Sequence, residues 1–100
     1  MATTVTENSA RALFMRQCRK IGGNTKVGEQ NNIYFLALHG HRIAKLLPNN
    51  DLYIRSAGWE TKTTKERLNG LPGVDIYQKN YVWYLNGVEW KNSDEWVHIR

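Results

Sequence analysis

Ile33 to Leu47 reads IYFLALHGHRIAKLL. Two apolar-rich runs flank His39-Gly40, where glycine supplies the positive φ that a tight hairpin needs, so the stretch reads as two antiparallel strands turning at that pair. PNND then leads into a third strand, LYIRS. There Leu52 and Ile54 alternate with Tyr53 and Arg55, giving one apolar face and one mixed face. Period-two patterning begins upstream, with Thr25 to Val27 as a short strand.

Working outward, the N-terminal segment changes period. Ala10, Leu13, Phe14, Cys18 and Ile21 fall at helical spacing and predict an amphipathic helix, capped by Thr6 or Asn8 and running to about Ile21. Gly22-Gly23 ends it, and Cys18 reads as a buried, unreactive thiol within the stripe. Arg11, Arg16, Arg19 and Lys20 lie off the stripe and form a basic face suited to a protein partner.

Downstream of LYIRS, Thr63 and Glu66 have the spacing of a capping box for a short helix over about Thr64 to Leu71, stopped by Pro72-Gly73. The last third reads as a meander: VDIYQ, YVWYL, VEW and EWVHI, joined at Lys79-Asn80, Asn86-Gly87 and Lys91 to Asp94. Across that last turn, Trp90 and Trp96 are placed to stack. The fold class is α+β, with an N-terminal amphipathic helix, an antiparallel sheet of about six to seven short strands in hairpins, and one short central helix. One hundred residues form a single domain, divided as 1–23, 24–57, 58–73 and 74–100.

Composition narrows the class. A single cysteine excludes an intrachain disulfide, and no apolar run reaches membrane-spanning length. The net charge of +5 is uneven. After residue 70 Lys79, Lys91 and Arg100 are outnumbered by Asp75, Glu89, Asp94 and Glu95, so the basic excess lies in the first seventy residues. That asymmetry favours an anionic partner, either nucleic acid or an acidic protein surface. His39, His41 and His98 have no carboxylate or thiol at ligand spacing, so no metal or other cofactor is expected. Neither a nucleophile elbow nor a phosphate-cradling glycine loop is present, and the expectation is a binding protein with no enzymatic activity and no small-molecule substrate.

The segment SAGWETKTTKERLNGLPG carries the best candidate site. Thr61, Thr63 and Thr64 crowd a helix start, Lys62, Lys65 and Arg67 add positive charge, and Trp59 offers a flat ring. Tyr53 and Arg55 lead in, and Tyr77 and Lys79 lead out. Together they suit a nucleic-acid surface that stacks bases and holds phosphates. The alternative for these residues is structural, with Trp59 a core anchor, Thr63 a cap and the lysines a solvated helix face.

LHGHRIA, then LYIRSAGWETKTTKERLNGL, then IYQKNYVWYLNGVEW resemble a small domain that recurs in tailed bacteriophages, with the pattern LHG-x-x-IA, AGW-x-T-x-TTK-x-RLN and QK-x-x-x-WYL-x-G-x-x-W. The likeness covers residues 36 to 90 and leaves out the N-terminal helix; His41 stands where that domain more often has Asn. It implies a phage origin and work in the host bacterial cytosol, and it assigns no activity. Two occupations of small phage proteins follow as expectations: binding nucleic acid, or docking on a host protein as an inhibitor or adaptor, anti-CRISPR-like roles included. A virion component is the third.

Overall fold

The structure, a computed structural model, describes residues 4–100. Helix α1 (Thr4–Phe14) is followed by strands β1 (Arg19–Ile21), β2 (Thr25–Gln30), β3 (Ile33–Leu38), β4 (His41–Leu46) and β5 (Leu52–Ile54). Helix α2 (Lys62–Asn69) separates these from β6 (Ile76–Lys79), β7 (Val82–Leu85), β8 (Val88–Glu89) and β9 (Val97–His98). The class is α+β. Two antiparallel sheets form, a six-stranded one in the order β1-β2-β3-β4-β5-β9 and a three-stranded one in the order β6-β7-β8.

The hairpin turns follow from residues that accept positive φ. His39 (φ 52°) and Gly40 (82°) close β3–β4, and Asn86 (50°) and Gly87 (87°) close β7–β8, as two-residue turns with both positions left-handed. Asn31 (55°) and Asn32 (67°) do the same for β2–β3. The β6–β7 turn sits one residue later than the sequence suggests, at Asn80 (53°) and Tyr81 (66°).

The first helix ends much earlier than its apolar spacing predicts. Arg16 turns left-handed (φ 54°), its N–H donates to Leu13 O (3.2 Å), and Gln17 N–H donates to Ala12 O (2.9 Å). These two bonds satisfy the last carbonyls in the Schellman pattern, with an arginine where glycine is usual. Thr6 and Asn8 therefore lie inside α1, and Arg19 to Ile21 become an edge strand paired with Thr25 to Val27. Gly22 to Asn24 form the turn of that hairpin, and Cys18 is exposed in the preceding loop.

Helix α2 also starts earlier. Thr61 is its N-cap, the hydroxyl accepting from Thr64 N–H (3.2 Å), so the Thr63–Glu66 box does not form. Both helices cover the same face of the large sheet, since Ala12, Leu13 and Leu68 share one core with Val27, Leu36, Ala44 and Ile54. Their close approach requires Gly70, where a Cβ would fall 2.3 Å from Thr6 Cγ2. Arg67 is buried in the same junction, its Nε donating to Thr25 Oγ1 (3.2 Å) and its terminal nitrogen to Thr6 Oγ1 (2.9 Å).

The small sheet is fastened to α2 by Asn69, whose side chain accepts from Ile76 N–H (2.6 Å) and donates to Ile76 O (2.9 Å), replacing a strand neighbour. Trp83 and Trp90 are buried beneath it, their rings 6.2 Å apart. The final strand leaves this meander and pairs with β5 (Tyr53↔His98, Ile54↔Val97). Trp96 therefore does not stack on Trp90 but lies with the large sheet.

Candidate functional site

The face of the large sheet turned away from the helices is basic and aromatic. Alternation along β2 turns Val27 inward and Lys26 outward; across the sheet Phe35 pairs with Lys45, and Lys45 with Tyr53. On β4 alternation alone would put Arg42 and Lys45 on opposite faces. A register shift between Leu36 and Ala37 makes Arg42 the partner of Ala37 and Ala44 the partner of Leu36, with Ile43 as the extra residue. That bulge brings both cations to the open face. Its footprint in the sequence is the adjacent apolar pair Ile43-Ala44 between two cations, which breaks strict alternation.

The cations lie on rings. The Arg42 guanidinium is 4.0 Å from the Phe35 centroid and Arg55 is 4.3 Å from Trp96. Lys45 Nζ is 4.5 Å from Trp96 and 5.2 Å from Tyr53. Ring quadrupoles hold such cations without neutralising them. Arg42 donates to Gln30 Oε1 (2.9 Å), and Arg55 Nε donates to Arg42 O (2.8 Å), which leaves most of the five N–H groups of each guanidinium for another acceptor. The ion pairs found among the described residues, Arg67–Glu66 and His98–Asp51, involve none of Lys26, Arg42, Lys45 and Arg55. Glu29 borders this face, but its carboxylate accepts from Asn32 N–H (2.8 Å) across the β2–β3 turn. Burial first, and then the neighbouring Arg42 charge, pull the Arg55 guanidinium below its usual pKa.

The comparisons bear on the whole chain. The family model described as Kyanoviridae Gp96 protein matches residues 2–99. The chain belongs to that family. It is a family of phage proteins, and the match extends the likeness seen over residues 36–90 across the N-terminal helix. No curated protein and no solved structure matches the chain.

In this Gp96-family chain the segment after β5 is built to present Trp59. Ala57 (φ 57°) and Gly58 (φ 84°) are both left-handed, Gly58 N–H donates to the buried Ser56 hydroxyl (3.2 Å), and Trp59 N–H returns to Ser56 O (3.0 Å). The indole is 53% exposed and lies against His41, ring centroids 5.2 Å apart. Trp59 is no core anchor.

Its companions divide. Thr61 and Lys62 are exposed, Thr63 and Lys65 half-buried, and Thr64 buried with its hydroxyl 3.1 Å from that of Thr61. Arg67 points into the α1–α2 junction and leaves the surface. Tyr53 and Arg55 belong to the open sheet face, Tyr53 also packing on His98 at 4.9 Å. Tyr77 and Lys79 are exposed on the small sheet, where Tyr77 stacks on Tyr84 at 5.1 Å. The basic face foreseen on the first helix is dispersed. Arg11 stays on α1, Arg16 donates to Leu47 O (3.1 Å) and Asn50 Oδ1 (2.8 Å), and Arg19 and Lys20 stand on β1, with Lys20 paired to Lys26.

Among the described residues no three His, Cys, Asp or Glu side chains gather as metal ligands, and no helix is long and apolar enough to cross a membrane.

Proposed function

We propose that this phage protein binds nucleic acid without catalysis, in the host cytoplasm, through the open face of its large sheet. The observation that supports this most is the set of four cations, Lys26, Arg42, Lys45 and Arg55, interleaved with Phe35, Tyr53 and Trp96 and, among the described residues, in no ion pair with a carboxylate. Phosphates neutralise such cations with release of condensed counterions, and bases stack on rings of this kind irrespective of sequence. Lys62 and Lys65 at the start of α2 add charge beside Trp59. Fluorescence anisotropy with a labelled single-stranded oligonucleotide tests the reading. Arg42→Glu with Lys45→Glu is expected to weaken binding at least tenfold, and Lys62→Ala with Lys65→Ala to weaken it less. Equal affinity of the wild type and the charge-reversed variant would rule the open face out.

A second reading, docking on a host protein as an inhibitor or adaptor, draws on a different surface. Tyr81 is 95% exposed in the β6–β7 turn and Tyr77 41% exposed on β6, where it stacks on Tyr84, and exposed aromatics of this kind anchor protein interfaces. A stoichiometric host protein retained after nuclease treatment, and lost with Tyr77→Ser and Tyr81→Ser, would favour it over the first.

A further inference from the structure

Beside Trp59 lies a cleft of about 460 Å³, within the size range of small-ligand sites. Its floor is apolar, from Leu38 and Ile43; the exposed indole and His41 form one wall, and Thr61 and Thr63 supply hydroxyls. A nucleobase has matching chemistry, with two apolar faces for the rings and the floor and a polar edge for the hydroxyls.

The cleft is joined to the open sheet face around the β3–β4 hairpin tip. His39 borders both the cleft and a depression shared with Lys20, Lys26 and Gly40, and Lys26 and Gly40 also border the depression that holds Arg42 and Phe35. Nothing stands within 4 Å of where a Gly40 side chain would begin, so the tip leaves room for a strand close to the backbone. The geometry points to a site for one unstacked base of a bound strand, held against Trp59 and His41, with its phosphates passing over Gly40 toward Lys26 and Arg42. This inference rests on the nucleic-acid reading of the sheet face and names a separate site for one nucleotide.

Adenosine and cytidine 5′-monophosphates, titrated into isotope-labelled full-length protein at millimolar concentration, test the site by nuclear magnetic resonance. The expected result is a shift of the Trp59 indole N–H and of the His39–His41 and Thr61–Thr64 amides. These shifts should be lost in Trp59→Leu and kept in the Arg42→Glu, Lys45→Glu variant. Trp59→Leu should also weaken oligonucleotide binding about tenfold. Absence of cleft shifts in the wild type, or a Trp59→Leu variant that binds mononucleotide and oligonucleotide as the wild type does, would overturn the site. Cleft shifts alongside unchanged oligonucleotide affinity of the charge-reversed variant would support the site while overturning the open-face reading.

Discussion

Arg67→Ala separates a buried staple from a phosphate-holding cation, because the two roles give opposite outcomes for stability and for nucleic-acid affinity. The side chain joins α2 to α1 through Thr6 and to β2 through Thr25. Two charge-assisted hydrogen bonds contribute about 1.5 kcal/mol each at the low end, so their loss alone costs about 3 kcal/mol. The hydroxyl left behind at Thr25 still donates to Asn24 Oδ1 (2.8 Å), and that of Thr6 lies 3.5 Å from Glu66 Oε1, which limits the further penalty for orphaned groups. For a domain of this size about 3 kcal/mol corresponds to a fall of roughly 12–24 °C in Tm. Urea unfolding followed by tryptophan fluorescence, with thermal melts by circular dichroism, measures it. Arg67→Lys should fall between the two, since a single ammonium does not reproduce the fork of a guanidinium. Oligonucleotide affinity, measured well below the new Tm, should remain within about twofold of wild type, less than the effect of losing one charge-assisted contact. A stability loss under about 1 kcal/mol together with loss of oligonucleotide binding would refute the staple and restore Arg67 to the surface.

Gly70→Ala should destabilise by about 1–3 kcal/mol through overpacking against Thr6, and much less in a Thr6→Ser background, which keeps the hydroxyl but removes Cγ2; a double-mutant cycle by urea unfolding checks the coupling. Tyr81→Gly relieves a left-handed tyrosine and should raise stability by about 0.5 kcal/mol, after the entropy that glycine adds to the unfolded chain. Cys18 should react fully with an aromatic disulfide reagent in the native protein, at a rate near that of the urea-unfolded chain, whereas a thiol buried in a helical stripe would be protected.

The sequence was most legible where turn chemistry is local. His39-Gly40 and Asn86-Gly87 close hairpins because glycine accepts positive φ, and the Leu52/Ile54 alternation sorts itself into buried and outward faces. Legibility failed where tertiary context overrides a local pattern. Cys18 and Ile21 continue the helical spacing of α1, yet a Schellman cap formed on Arg16 ends the helix seven residues before Ile21, and Ile21 is buried from a strand instead. Trp96 follows a turn that suggests a local hairpin, but its strand finds the free edge of β5. Of the candidate site, the exposure of Trp59 follows from the Ala57-Gly58 turn. The partnership of Arg42 with Lys45 depends on one extra residue at Ile43, and strict alternation hides it. Arg67 looked like its lysine neighbours because sequence does not distinguish a cation facing water from one turned toward two buried hydroxyls.

The most direct test of the open sheet face is the salt dependence of its affinity for a single-stranded oligonucleotide. Four phosphates held by Lys26, Arg42, Lys45 and Arg55 predict a slope of log K against log salt of about −2.8, falling to about −1.4 when Arg42 and Lys45 are both changed to Gln. A slope that stays the same in that variant, or an affinity indifferent to salt, would contradict a phosphate-holding role for this face.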